Sequence, residues 1–343
     1  MDDLKTVGIH HVTAICGDAQ HNVDFYSGIL GLRLVKRTVN FDDPETYHLY
    51  YGDEVGSPGS LITFFPWAGA PRGRPGPGQI AVTSFAVPPA ALGFWIERLV
   101  RYGIKHRGPT AQRTGDADEQ VLAFADGDGM LLEIVASPLN AHRAPWDGAP
   151  GIPEAFGIRG IHGVTMWEET GAPTASVLTD TLGLARVGEL ETTEHFAAGE
   201  RGARSIAAVR TTGGFTQGHI AVGSVHHVAW RVSDDADQLA LRERIVASGL
   251  DATPVIDRNY FHSVYFREPG GVLFEIATDS PGFAIDEDVA HLGERLKLPP
   301  QFESHRAQIE SVLPPLHPPM QLNAADFFNS VTGPEDVRPD VNS

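Results

Sequence analysis

The chain has 343 residues, a formal net charge of −18 at pH 7 and a single cysteine, Cys16. This length allows two ordinary domains with full cores, and the acidic balance argues against nucleic acid or an anionic membrane as partner. No apolar stretch is long enough to span a bilayer, and one cysteine excludes an intrachain disulfide framework. We therefore expect a cytoplasmic protein in which Cys16 is a buried core thiol.

Four successive segments share one order of predicted elements: a strand, an amphipathic helix, a glycine followed by Leu or Ile, and three more strands. The glycine pairs after the helices are Gly31-Leu32, Gly103-Ile104, Gly183-Leu184 and Gly249-Leu250. Glycine suits this position because it adopts the left-handed conformation at little cost. The segment Thr192 to Gly218 shows weak alternation, so the third repeat is the least clear. The pattern predicts an α+β fold of four βαβββ modules.

The helices and strands are legible within this frame. Asp18 is a candidate cap for the first helix, and Asp234 or Asp235 for the fourth. In the second helix the apolar stripe comprises Leu92, Trp95, Ile96, Leu99 and Val100. Strands are expected at His48–Tyr51, Val121–Phe124 and Ser263–Phe266, each followed by a turn signal.

The predicted domain limits follow from the same repeat. Residues 1–140 hold the first two modules, 141–157 form a linker rich in Pro and Gly, and 158–280 hold the last two modules. Residues 281–343 form a C-terminal extension, with short helices expected at Asp286–Leu296 and Gln301–Val312.

Equivalent positions of the modules carry different chemistry. The first-strand position holds, in order, His11, Val82, Gly163 and His227, at 20 to 22 residues before the glycine pair. The last-strand position holds Thr63, Glu133 and Glu275 in modules one, two and four. If the modules pair in chain order, no cavity collects more than two candidate ligands. If module one pairs with four and two with three, one cavity collects His11, His227 and Glu275, and the other has Glu133 facing Val82 and Gly163.

Two histidines and one carboxylate are the donor set that binds non-haem Fe(II) and leaves positions open for a substrate and dioxygen. We therefore predict that module one pairs with four and two with three. The metal site is predicted at His11, His227 and Glu275, and the second cavity is expected to be metal-free.

The chain resembles known proteins in the segments Ile9–Thr13, Val225–Val228, Asp257–Phe261 and Tyr265–Asp279. The resemblance is to the vicinal oxygen chelate superfamily, which includes glyoxalases, bleomycin resistance proteins and dioxygenases, and within it to ring-cleaving dioxygenases of the hydroquinone type. It implies paired βαβββ modules and an Fe(II) cofactor on His11, His227 and Glu275, with Mn(II) less favoured. The implied partners are a small aromatic diol and O2. Further site residues implied are His10, Thr13, His226, Arg258 and Tyr265.

The residues around the ligands also have simpler interpretations. Strand alternation places His10 and His226 on the face opposite the ligands, where they would bond neighbouring strands unless a bulge redirects them. Thr13 shares the face of His11. Arg258 precedes a strand, where it would form a surface salt bridge or face the cavity and suit an anionic phenolate. The hydroxyl of Tyr265 needs a partner if it is buried.

The sequence leaves other functions open. An extradiol catechol dioxygenase would use the same iron site, but a para-hydroquinone offers iron only one oxygen and better explains the extra polar residues. A glyoxalase would need a fourth ligand at the position of Thr63, whereas a thiol transferase would not. A protein that only binds a flat aromatic drug would lack the metal. The sequence also leaves assembly into a homo-oligomer open.

Overall fold

The computed structural model describes residues 4–140, 142–200 and 204–319, which form four βαβββ modules and a C-terminal segment. Module one comprises β1 (Ile9–Cys16), α1 (Ala19–Val23), a π-helical turn (Asp24–Ile29), β2 (Arg33–Asn40), β3 (Asp43–Gly52) and β4 (Leu61–Pro66). Module two comprises β5 (Gln79–Val87), a 3-10 turn (Pro89–Ala91), α2 (Leu92–Arg101), β6 (His106–Thr114), β7 (Ala117–Ala125) and β8 (Leu131–Ala136).

The last two modules repeat this order. Module three comprises β9 (Ile161–Glu168), α3 (Ala172–Ser176), a π-helical turn (Val177–Thr181), β10 (Ala185–Leu190), β11 (Thr193–Ala198) and β12 (Ser205–Thr211). Module four comprises β13 (Ser224–Val232), α4 (Asp235–Ala247), β14 (Ile256–Asp257), β15 (Phe261–Arg267) and β16 (Leu273–Pro281). The weakly patterned third module therefore forms the same elements as the others.

The strands form two curled sheets of eight strands each. One sheet has the order β14-β15-β16-β13-β1-β4-β3-β2, so it joins module four to module one through the antiparallel pair β1 and β13. The other has the order β10-β11-β12-β9-β5-β8-β7-β6, which joins module three to module two. The prediction that module one pairs with four and two with three is confirmed.

The helix caps form as the sequence predicts, whereas the apolar stripe of α2 is buried only in part. The Asp18 and Asp234 side chains accept hydrogen bonds from the backbone N–H groups of His21 and Asp237, at 2.8 and 2.9 Å, and so cap α1 and α4. Trp95 and Leu99 of α2 are buried, whereas Val100 is 62 % exposed. Arg98 is buried in its place, because its guanidinium donates to the carbonyl groups of Gly28 and Ile29 at 2.9 and 2.6 Å. Cys16 lies in the core as expected.

The C-terminal segment packs against module one. A helix was expected at Asp286–Leu296, but only a single 3-10 turn, Val289–His291, forms there. The backbone carbonyl groups of this region instead accept hydrogen bonds from side chains of β2. Arg33, for example, donates to the Val289 carbonyl at 2.7 Å. The second expected helix is present as a 3-10 turn, Pro300–His305, that leads into α5 (Arg306–Val312). The limits 141–157 and 281–343 stay predictions, and the latter range continues beyond the described residues.

Candidate metal and substrate site

The three predicted metal ligands meet inside the sheet that modules one and four form. His227 Nε2 lies 2.9 Å from Glu275 Oε2, His11 Nε2 lies 3.3 Å from the same oxygen, and the two Nε2 atoms are 3.4 Å apart. All three side chains are buried. Among residues 4–140, 142–200 and 204–319, this is the one group of three or more His, Cys, Asp or Glu donors within 4.8 Å of each other.

The donor geometry fits a divalent metal ion. Two ligand atoms about 2.1 Å from a metal and at right angles to each other lie about 3.0 Å apart, close to the separations in this triangle. Ser263 donates to Glu275 Oε1 at 2.5 Å, whereas Glu275 Oε2 is buried without a hydrogen-bond partner among the described residues. A buried carboxylate oxygen that faces two imidazole nitrogens and has no donor of its own fits a cation-binding site.

A second histidine stands behind each histidine ligand. His10 Nδ1 lies 3.0 Å from His11 Nδ1, and His226 Nδ1 lies 2.7 Å from His227 Nδ1. Burial, followed by the neighbouring His227, lowers the pKa of His226 to about 3, and burial likewise lowers that of His10. Both outer rings are therefore neutral and can accept the Nδ1–H of the ligand ring. This acceptance fixes the tautomer in which each ligand presents Nε2 to a metal.

Two bulges make these histidine pairs possible. The pairing of β1 with β13 shifts register between Ile9 and His11 and again opposite Thr13 and Ala14, where His226 is the extra residue. A bulge rotates side chains out of strict alternation. His226 thereby lines the cavity, whereas His10 lies behind His11 with its ring centre 5.0 Å from that of Phe261.

The ligands open into a cavity of about 510 Å³. Its wall combines aromatic and aliphatic side chains with polar ones, and the residues that line it are His11, Thr13, Asn40, Phe41, Asp42, His48, Tyr50, Phe65, Trp67, His226, His227, Thr253, Ile256, Arg258, Phe261, Tyr265 and Leu273. Of the eight site residues named from sequence, six line this cavity. His10 and Glu275 lie behind its surface.

Arg258 and Tyr265 form a polar group in the cavity wall. Arg258 Nε donates to the Tyr265 hydroxyl at 3.3 Å, and the guanidinium carbon lies 5.4 Å from the centre of the tyrosine ring. Arg258 Nη2 also lies 3.1 Å from Asp42 of module one, so a salt bridge ties the two modules together at the cavity. Burial and the negative charge of Glu275 raise the pKa of Tyr265 above its usual range, so its hydroxyl keeps its proton.

The C-terminal segment holds the loop that carries Arg258. The Tyr260 hydroxyl donates to Asp286 Oδ2 at 3.0 Å, and the buried Lys36 ammonium binds Asp286 at 2.6 Å and also Glu287. These contacts hold Tyr260, two residues after Arg258, in place. The sequence alone did not indicate this role of the C-terminal segment.

Sequence reasoning also missed His48, Tyr50 and Asp42 as cavity residues. His48 bonds the Thr63 hydroxyl at 2.8 Å, and Thr63 in turn donates to Thr13 at 2.9 Å. Thr63 thus occupies the last-strand position of module one with its hydroxyl already engaged. The sequence did contain one indication of this position. His48 and Tyr50 are two residues apart in a predicted strand, so their side chains are expected on the same face.

Modules two and three enclose a second, smaller cavity of about 200 Å³. Val82, Gly163 and Glu133 line it, as the module pairing predicted, and Ala208 supplies the last-strand position of module three. Ser84 donates to the Glu133 carboxylate at 2.7 Å. The expectation that this cavity binds no metal stays a prediction.

The fold and the site together define a class of protein. The chain belongs to the Glyoxalase/Bleomycin resistance protein/Dioxygenase superfamily, whose family model matches residues 8–134 and 161–276. The resemblance inferred from sequence is thereby confirmed. Glyoxalase I from Zea mays has the same fold, with a TM-score of 0.57 and 12% identity over 80% of this chain and 92% of that one.

Closer relatives cover almost the whole chain. A Bacillus subtilis (strain 168) protein named "Putative ring-cleaving dioxygenase MhqO" is 48% identical, covering 91% of this chain and 97% of the relative. The chlorohydroquinone/hydroquinone 1,2-dioxygenase of Sphingobium indicum is 34% identical over 89% of this chain and 95% of its own length. A crystal structure from Bacillus subtilis superposes with a TM-score of 0.84 at 46% identity, covering 91% of this chain and 98% of that one.

In the part of the chain that the structure describes, no helix is both long and apolar enough to cross a membrane.

Proposed function

We propose that this chain is a cytoplasmic, Fe(II)-dependent dioxygenase that opens the ring of a hydroquinone-type aromatic diol with O2. The observation that carries the proposal is the convergence of His11, His227 and Glu275 beneath a cavity lined by aromatic rings. Relatives named as ring-cleaving and hydroquinone dioxygenases support it, since they match the chain over nearly its full length.

The ligands would hold the metal on one face only. When bound, Fe(II) would supply a Lewis acid for a substrate hydroxyl and a redox-active centre through which electrons of the diol would reach dioxygen. Ser263 would fix the orientation of the Glu275 carboxylate through its 2.5 Å hydrogen bond. His10 and His226 would hold the two ligand imidazoles in the required tautomer, through their Nδ1 contacts at 3.0 and 2.7 Å.

The remaining polar residues would hold the substrate. His226 accepts a proton at Nδ1 and therefore carries its own proton on Nε2, which makes it a donor toward a cavity that it lines. Tyr265 keeps its hydroxyl proton, and Arg258 holds a permanent positive charge beside it. These groups suit the second oxygen of a para-diol, which cannot reach a metal that binds the first oxygen.

The engaged hydroxyl of Thr63 favours this proposal over a glyoxalase. Thr63 lies at the position where a fourth protein ligand would be required, but it donates to Thr13 and bonds His48 instead. Catechol cleavage is the closer alternative, because it would use the same three ligands. We favour the hydroquinone because of the polar residues that line the cavity beside the metal site, His226, Arg258 and Tyr265.

Oxygen uptake tests the proposal. Protein loaded with Fe(II) under anaerobic conditions is mixed with oxygenated buffer and a panel of hydroquinones and catechols, and the consumed O2 is compared with the ring-opened product. We expect one O2 per ring with a hydroquinone and far less uptake with catechol. Full activity with Zn(II) alone would overturn the oxygenase assignment, because zinc has no accessible redox change.

A further inference from the structure

Four side chains of module one form an unbroken hydrogen-bonded chain beside the metal ligands. The Tyr50 hydroxyl lies 2.9 Å from His48 Nδ1, His48 Nε2 lies 2.8 Å from Thr63 Oγ1, and Thr63 Oγ1 donates to Thr13 Oγ1 at 2.9 Å. Tyr50, His48 and Thr13 line the main cavity. The chain therefore ends at Thr13, a buried residue in the wall of that cavity.

The repeat shows where this chain lies relative to the metal. Thr63 pairs with Thr13 as Glu275 pairs with Ala229, so Thr63 occupies in module one the position of the carboxylate ligand. His48 likewise corresponds to Ser263, since each lies two residues before the tyrosine that pairs with Thr63 or Glu275. Ser263 donates to a metal ligand, whereas His48 bonds a hydroxyl where module one lacks a ligand. The chain thus borders the open side of the metal site.

The direction of the hydrogen bonds follows from the donors available. Thr63 gives its proton to Thr13, so the Thr63 oxygen accepts from His48 Nε2–H. Burial lowers the pKa of His48 well below its usual range, so the ring is neutral and its Nδ1 accepts from Tyr50. The opposite tautomer would leave the buried Tyr50 proton without an acceptor among the described residues.

We propose that His48 is a positioning residue for the proposed ring cleavage, and that through Thr63 it directs the hydroxyl proton of Thr13 toward the ionised oxygen of the substrate. This inference rests on the proposed function for the identity of the ligand. Thr13 already accepts a proton from Thr63, so its own proton is left for the cavity. A neutral hydroxyl held as a donor stabilises an anionic oxygen and does not compete with the metal for it.

The test measures binding as well as turnover. Iron-loaded protein under anaerobic conditions is titrated with 4-nitrophenol, a monophenol whose ionised form absorbs visible light, and the dissociation constant of the phenolate is read directly. We expect His48→Phe to weaken binding by about tenfold or more, the scale of one hydrogen bond to a charged group. His48→Gln keeps both a donor and an acceptor, so it should stay within about threefold of wild type.

A double-mutant cycle separates positioning from packing. Once Thr13→Val has removed the terminal hydroxyl, adding His48→Phe should cause no further loss, because both changes delete the same donor. Losses that multiply in the double variant would overturn the inference. Thr63→Val breaks the same chain and provides the answer if His48→Phe does not fold. The matched control is His195→Phe, a change of the same type in the second cavity, which should leave phenolate binding unchanged.

Different outcomes would contradict the role of His48 and the proposed function. If wild-type protein consumes no O2 with any diol, the proposed function is wrong, while the phenolate titration still judges the role of His48. If wild type turns over and His48→Phe binds phenolate equally well, His48 does not direct Thr13 at the substrate. A rise confined to the KM for O2 would also refute the assignment to the substrate oxygen.

Discussion

Substitution of Glu275 is the most direct test of the metal site, because the equivalent residue of module two provides a matched control. Glu275 and Glu133 occupy the same last-strand position in modules four and two, yet only Glu275 has two imidazole nitrogens within 3.3 Å. We expect Glu275→Ala to abolish tight metal binding and Glu133→Ala to leave it intact. His11→Ala and His227→Ala should behave like Glu275→Ala.

Metal binding should raise the melting temperature of the wild-type protein by a measurable amount. A metal present at one hundred times its Kd stabilises the folded state by about 2.7 kcal/mol, which raises Tm by roughly 5–10 °C at about 2–4 °C per kcal/mol. Disturbing a residue that only supports a ligand typically costs about 10–100-fold in affinity, so loss of a ligand costs at least that much. A hundredfold loss would leave about 0.4 kcal/mol at the same metal concentration, or roughly 1–2 °C.

The assay is anaerobic thermal unfolding with and without Fe(II), combined with elemental analysis of the desalted protein. The compared quantity is the metal-induced shift within each variant, so a change in the baseline stability of the metal-free protein does not affect the answer. A shift of wild-type size in Glu275→Ala would refute the metal assignment. Loss of the shift in Glu133→Ala would show that the metal lies in the other cavity.

Three further predictions concern redox state, substrate and pH. Peroxide should inactivate the iron-loaded protein by oxidising the metal, and ascorbate with fresh Fe(II) should restore oxygen uptake. Arg258→Ala and Tyr265→Phe should each lower kcat/KM for a hydroquinone by roughly tenfold or more, and near wild-type rates with fast catechol turnover would refute the hydroquinone assignment. Burial and the neighbouring Glu268 raise the pKa of Glu168 to about 8. The folded chain therefore keeps a proton that the unfolded chain releases above a pH of about 4.5, so stability should fall as pH rises to about 8. Glu168→Gln should remove this fall, and an unchanged profile of Tm against pH would contradict it.

The repeat made the module pairing and the convergence of the three candidate metal ligands predictable from sequence. Comparing equivalent positions reduced the choice to His11, His227 and Glu275, because only one pairing of modules collects three donors. The same comparison placed Glu133 in the second cavity, where it lies. Such reasoning works because strand alternation and module symmetry constrain side-chain direction even when the sheet itself is unknown.

Features that depend on contacts between distant segments were not predictable in this way. Asp42 reaches Arg258 across 216 residues, and Asp286 bonds Tyr260 from the C-terminal segment. The bulges at His10 and His226 left no mark in the sequence, since alternation predicts the opposite face for both. Arg98 takes a core place in α2 because it binds carbonyl groups at the end of another helix, a role that an apolar stripe cannot reveal.

The close backbone approach at Gly163 has a consequence for metal stoichiometry. A Cβ atom at this position would lie 2.3 Å from the carbonyl oxygen of Ile206 on the adjacent strand. A histidine ligand therefore cannot be introduced there unless β9 and β12 separate, even though Glu133 already stands opposite. The two halves of the molecule differ in backbone as well as in side chains, and the chain should bind one equivalent of metal.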